Sequence, residues 1–271
     1  YDAKAADATD TSRYTSYADS RSDKPTDPWY KTETDIPKDW TQGAGTLTDG
    51  KYATQLSDMA GVAYNDVKWI AFMNQFTYAE LVTMISSSGS KAVDTIGKPT
   101  LNAADGPGQL SRGTFWCCAV NIGSTWDLEL AEKQGTAIGN ESLFMGITGW
   151  WGPGVNIHRS AFGGRNFEYY SQDSVHEGLM VAKIVSGYQS KGGIAYLKHF
   201  AIDDMENVRY GCGTFVDEQT IRENYLKAFE YGVKDGGAGA MMASHNRIGC
   251  IQDYGNYALT TAIAAKEWGF N

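Results

Sequence analysis

Cysteine is scarce in this 271-residue chain: there are four, Cys117, Cys118, Cys212 and Cys250, and none forms a C-x-x-C pair. Such spacing offers no zinc ligand set, and the thiols are expected buried or half-buried. Positive charge is also short. Lys and Arg number 23 against 32 Asp and Glu, a net charge of −9. Without a basic field to neutralise phosphates, nucleic acid is excluded as a partner. No apolar run is long enough to span a bilayer, so no membrane partner is expected. No basic-then-apolar leader opens the chain, and "YDAKAADATD" reads like the interior of a longer polypeptide. The sequence also lacks G-x-S-x-G, a P-loop and H-E-x-x-H. "GPGVN" and "GGAGA" are glycine-rich but miss the dinucleotide spacing. Hydrolase triads, nucleotide transfer and zinc proteolysis are thus unsupported.

What is present is apolar and aromatic. Apolar residues make up 42% and aromatics 13%, with 16 Tyr and 8 Trp. A sizeable core can form, and the aromatics suit stacking on ring-shaped ligands. Residues 1–65, rich in Asp, Thr, Ser, Lys and Tyr, show no sustained period and read as an extended arm or interdomain linker. Order is expected over residues 66–271. Thr77 with Glu80 forms a capping box ahead of Leu81, Met84 and Ile85. Strands and helices then alternate. "KPTLNAADGPG", "ITGWWGPGVNIHR", "GIAYLKHFA" and "AGAMMASHN" read as strands. Helices follow in "TWDLELAEKQGTAIGNESLFMG", "SVHEGLMVAKIVSGYQSKG", "VDEQTIRENYLKAFEYGVKDGG" and "YALTTAIAAKEWGF". The second is expected to bury Val175, Leu179, Ala182 and Val185. The third has Asp217 as its cap, a stripe of Ile221, Phe229 and Val233, and a Gly236-Gly237 stop. This alternation predicts an α/β fold with a parallel sheet.

Polar clusters follow each strand: Asp105, then His158 to Arg165, then Lys198 and His199, then Ser244 to Asn246. Parallel α/β folds place their sites at the carboxyl ends of strands, so four segments converge on one rim. Each has a plain structural alternative. Asp105 can be a turn residue, Arg165 can pair with Glu168 on the surface, and His199 can be a satisfied core histidine. His158 and His176 are expected to be structural. A carboxylate that accepts paired hydroxyls, flanked by cationic donors, suits a sugar ring.

The segments "WGPGVNIHRSAFGGRNFEYYSQDS", "KHFAIDDMENVR", "DEQTIRENYLKAFEYGVKDGGAGAMMASHNRIG" and "KEWGF" resemble the N-terminal part of the catalytic barrel of glycoside hydrolase family 3, the β-glucosidase family. The resemblance implies a TIM-type (β/α)8 barrel, of which residues 66–271 supply roughly the first half. It implies a retaining, exo-acting β-glycosidase that needs no cofactor or metal. It assigns sugar binding to Asp105 ("DGP"), Arg165 ("GR..E", supported by Glu168), Lys198 and His199 ("KH"), Arg209, Met242 and His245. His245 departs from the family's tyrosine in "MxSYN", and "DDME" departs from "NxQE". The nucleophilic aspartate is expected just after Asn271, and the acid/base glutamate on an α/β sandwich domain or later loop. The partners implied are a β-glucoside or related oligosaccharide, the remainder of the barrel and that sandwich domain. A β-xylosidase, another family 3 specificity or a non-catalytic sugar-binding subunit remains open. "KHFAIDD" in place of "KHFPGHG" disfavours a β-N-acetylglucosaminidase.

Overall fold

The computed structural model describes residues 45–270 apart from 64, 87–89 and 112. The chain divides at Leu101–Asn102 into two compact units, each with its own apolar cluster.

The smaller unit holds α1 (Lys68–Met73) and α2 (Tyr78–Ser86). Tyr52, Met59, Phe72, Phe76, Leu81, Val93 and Ile96 form its core. The first 44 residues of the expected arm lie outside the described residues. Its later part carries Tyr52 and Met59 into this core. The Thr77–Glu80 capping box forms: the Thr77 N–H donates to Glu80 Oε2 at 2.8 Å and the Glu80 N–H to Thr77 Oγ1 at 3.3 Å. Of the expected stripe, Leu81 is buried, Met84 packs partly against the core and Ile85 faces solvent.

The larger unit carries the alternation. Its strands are β1 (Ala103–Asp105), β2 (Gly149–Trp151), β3 (Ile194–Phe200), β4 (Gly213–Thr214), β5 (Ala240–Ala243), β6 (Arg247–Ile248) and β7 (Ile251–Gln252). One sheet runs β1-β2-β3-β5 with every pairing parallel, as the apolar strand pattern predicts. A small second sheet, β4-β6-β7, sits on the connections that follow β3 and β5. The fold class is α/β of the (β/α)8 barrel type, with four parallel barrel strands among the described residues. Asp105 pairs in register with Trp151, and Lys198 with Met242. Because the strands are parallel, every strand-end cluster faces the same end of the sheet.

The connecting helices are α3 (Ala119–Gly123), α4 (Leu128–Met145), α5 (Ser174–Gln189) and α6 (Lys227–Lys234). Asp127 caps α4 by accepting from the Leu130 N–H at 3.0 Å, and Asp173 caps α5 through the Val175 and His176 N–H groups. Asp217 caps the turn leading to α6 as expected. Ile221, Phe229 and Val233 are all buried. The buried face of α5 differs from the one read off the sequence. Val175 and Leu179 are exposed, whereas Met180, Val181, Ile184 and Tyr188 join Ala182 and Val185 inside. The helix packs against α4, α6 and β3, which widens its apolar arc beyond one stripe. Gly135 and Gly187 let α4 and α5 meet backbone to backbone: a Cβ at Gly135 would stand 2.1 Å from the Ile184 carbonyl oxygen.

The cysteine expectation fails for three of the four. Cys117, Cys118 and Cys250 are exposed and only Cys212 is half-buried. All four are free thiols in loops or at a helix cap, where no apolar layer covers them.

Candidate sugar site at the strand ends

Asp105 ends β1 and enters a tight turn. Its Oδ1 accepts from the Gly106 N–H at 2.8 Å, and the Trp150 indole donates to the Gly106 carbonyl at 2.9 Å. Gly106 has φ +126°, and a Cβ there would overlap the Gln109 carbonyl, so "DGPG" demands its glycine. The turn leaves the Asp105 side chain 60% exposed, above a Lys198 that is 2% exposed.

From Asp105 a chain of alternating charge crosses the rim. Lys198 Nζ donates to Asp105 Oδ1 at 2.7 Å and lies 3.6 Å from Glu168 Oε2. Glu168 binds the Arg165 guanidinium. Arg165 lies 3.7 Å from Glu206, and Glu206 accepts from Arg209 at 2.9 Å. The loops after β1, β2 and β3 are thereby tied together by three carboxylates and three cations, which balance. Neutrality matters because Lys198 and Glu168 are both buried, where an unmatched charge is costly. Partial burial would raise the Asp105 carboxyl, but the Lys198 ammonium and the Gly106 N–H hold it below its ordinary value. Asp105 is therefore an anion with lone pairs open to solvent. Burial works against the charged form of Arg165, and its bond to Glu168 more than restores it.

His199 is buried behind this chain. Asn156 clamps its backbone, donating to the His199 carbonyl at 3.0 Å and accepting from its N–H at 2.7 Å. Burial and the neighbouring Arg165, Lys198 and Arg209 push the imidazole down to about 2, so the ring is neutral. It is not the cationic donor that its sequence context suggests. Nδ1 lies 3.4 Å from the Tyr169 hydroxyl and 3.6 Å from Asp203 Oδ2.

The remaining candidates lie at the edge. Met242 is half-buried in β5 beside Lys198. His245 is exposed, and its ring sits 4.7 Å from that of Tyr210, over which the Arg209 guanidinium lies at 5.3 Å. His158 and His176 serve the fold. His158 Nε2 meets the Asn166 and Tyr169 carbonyls, and His176 Nε2 meets the Gly123 carbonyl beneath Trp126. A groove of about 450 Å³ on the helical layer, lined by Arg222, Leu226 and Trp268 among others, contains none of these strand-end groups.

Sequence reasoning missed several contributors. Asn156, Tyr169 and Asp253 act on neighbours far along the chain. Nothing local marks them except that each sits within a few residues of a strand end or its loop.

Residues 70–271 match the profile of the glycosyl hydrolase family 3 N terminal domain. A β-glucosidase of Rhizobium radiobacter is 36% identical over 211 residues, 73% of this chain and 26% of that protein. The structure of β-glucosidase 3B from Thermotoga neapolitana in complex with glucose superposes with a TM-score of 0.64 at 35% identity, covering 66% of this chain and 27% of that one. A β-glucosidase from Paenibacillus barengoltzii gives a TM-score of 0.72 at 30% identity over 87% of this chain and 28% of its own. The chain thus spans about a quarter of the length of the relatives it matches. It belongs to glycoside hydrolase family 3.

Proposed function

We propose that this chain forms the sugar-binding half of a retaining, exo-acting β-glucosidase. The observation that carries the reading is the alternating charge chain at the carboxyl ends of parallel strands, with the Asp105 carboxylate exposed at one end of it. Proteins similar to this one are named β-glucosidases.

In this reading Asp105 accepts hydrogen bonds from two adjacent hydroxyls of the terminal sugar. Lys198 keeps Asp105 ionised and aimed. Arg165, fixed by Glu168, donates to the same ring, and His199 meets a further hydroxyl. Arg209 and His245 border the opening, and Met242 supplies an apolar wall. Each charge-assisted hydrogen bond in a dry pocket contributes about 1.5–3 kcal/mol. Only the part that strengthens in the oxocarbenium-like transition state accelerates the reaction. Retention needs a nucleophilic carboxylate and an acid/base about 5–5.5 Å apart. Both come, in this reading, from outside residues 45–270, from later barrel strands and a sandwich domain.

The test uses a polypeptide that joins this domain to the rest of a family 3 barrel. Proton NMR of aryl β-glucoside hydrolysis should show β-glucose as the first-formed sugar. An α product, or no turnover on any aryl β-glycoside, overturns the proposal.

A further inference from the structure

Asp203 follows β3 by three residues and is buried, yet neither carboxylate oxygen has a hydrogen-bond partner among the described residues. The His199 ring lies beside it, Nδ1 to Oδ2 3.6 Å. That distance is beyond a hydrogen bond, but a carboxylate so close still favours the tautomer that turns N–H toward it.

The Tyr169 hydroxyl fits the same tautomer. Its hydroxyl has one proton, which it donates to the Asp203 carbonyl at 3.4 Å. Toward His199 Nδ1, also at 3.4 Å, the hydroxyl can then only accept. The Nδ1–H tautomer completes this arrangement. His199 Nε2 has no partner among the described residues and is left with a bare lone pair.

We propose that Asp203 is a positioning residue that locks neutral His199 as the Nδ1–H tautomer, so that Nε2 accepts a hydroxyl proton from the ligand instead of donating one. The proposal rests on reading the rim as a sugar site. It adds that Lys198 and Arg165 act there as donors while His199 acts as an acceptor. A sugar hydroxyl between Lys198 and His199 would then accept from one and donate to the other, which uses both of its hydrogen-bonding capacities.

The groups that face this pair are Lys198 from β3, Arg165 and Tyr169 from the loop after β2, and Asp204, Glu206 and Arg209 from the loop after β3. His245 follows β5 and Asp253 follows β7. Burial and the Glu206 charge raise the Asp203 carboxyl to about 6. The carboxylate charge beside Nδ1 is present above that pH and lost below it, while a carbonyl acceptor remains.

The chain has four histidines, so long-range proton–nitrogen correlation on chain labelled at histidine nitrogen reads each tautomer directly. At pH 8, without sugar, His199 should show a protonated Nδ1 and an unprotonated Nε2. Asp203→Asn, which keeps a carbonyl acceptor, should preserve this state, and Asp203→Leu should shift the tautomer ratio by about tenfold or more. The His158 and His176 signals report whether each variant is folded. Should Asp203→Leu not fold, wild type and Asp203→Asn decide. Between pH 8 and 5 the His199 ring nitrogens should move in wild type and stay still in Asp203→Asn. A protonated Nε2 in wild type, an unchanged ratio in folded Asp203→Leu, or a flat wild-type titration overturns the proposal. Glucose is added last. Failure of sugar to perturb Nε2 in a correctly locked His199 counts against the sugar-site reading instead.

Discussion

Asp253 gives the sharpest stability prediction. It is fully buried. One oxygen accepts from the Ala201 N–H at 3.2 Å, and Oδ1 has no partner among the described residues. Burial pushes the carboxyl up to about 8. The Ala201 N–H opposes this, and the charge of Asp203 adds to it. Unfolded, the same carboxyl titrates near 3.9. Between those two values the folded chain holds a proton that the unfolded chain has released. Unfolding then releases a proton, so stability is highest at acid pH and declines as pH rises through this window. Asp203, raised to about 6, and Glu177, raised by complete burial, contribute with the same sign. This reverses the usual behaviour of carboxylates held by salt bridges.

The span from about 3.9 to about 8 corresponds to a penalty on the order of 5 kcal/mol at pH 8. Asp253→Asn removes the titration and retains an oxygen for the Ala201 N–H. It also introduces an amide NH₂ that must find a partner, at a cost of about 1–3 kcal/mol if it does not. The variant should therefore be more stable than wild type by roughly 2–4 kcal/mol at pH 8. At pH 4, where the titration term has nearly vanished, it should be weaker by up to about 1–3 kcal/mol. Urea unfolding of both proteins at pH 4, 6 and 8 reads the difference, and other titrations cancel between them. Parallel curves across the three pH values would show that Asp253 does not titrate in this window and would refute the reasoning.

Other perturbations separate the site from the scaffold. Asp105→Ala should lower kcat/KM by about 100-fold or more in a polypeptide that completes the barrel, because two charge-assisted bonds are lost together. A fall of less than about tenfold would make Asp105 a turn residue only. Lys198→Met should cost both turnover and folding stability, since it strips the buried Glu168 of a counter-charge at 3.6 Å; thermal melts should show a larger loss than for Asp105→Ala. Gly135→Ala should force α4 away from α5 and destabilise by roughly 1–3 kcal/mol or more in urea. Asp127→Ala, which removes only a helix cap, should cost about 0.5–2 kcal/mol.

The parts of this fold that were legible in the sequence are those governed by neighbours a few residues apart. Thr77 and Glu80, Asp217 and Thr220, and the glycine of "DGPG" declare themselves locally, because caps and turns are made from nearby backbone. The parallel sheet was legible because apolar strands alternating with helices admit few arrangements. The buried face of α5 was not. Its Val175 and Leu179 sit at helical spacing with Ala182, but helix burial here is set by three partners, α4, α6 and β3, and periodicity reports only one.

The same distinction runs through the site. Asp105, Arg165, Lys198 and His199 can be found because polar residues at strand ends break an apolar pattern. What each does electrically depends on residues that no pattern links. Lys198 and Asp105 are 93 positions apart, and His199 and Asn156 are 43 apart. Read along the chain, lysine, histidine and arginine after β3 look like three donors of one kind. In three dimensions Lys198 and Arg209 have carboxylate partners, while His199 is driven neutral by burial and by cations on several sides. A charge is assigned by what surrounds a group, and the surroundings of His199 are supplied by β3 and the loops after β2, β3 and β5. The location of the rim was therefore readable from sequence, while the protonation of its members, which decides whether each gives or takes a hydrogen bond, was not.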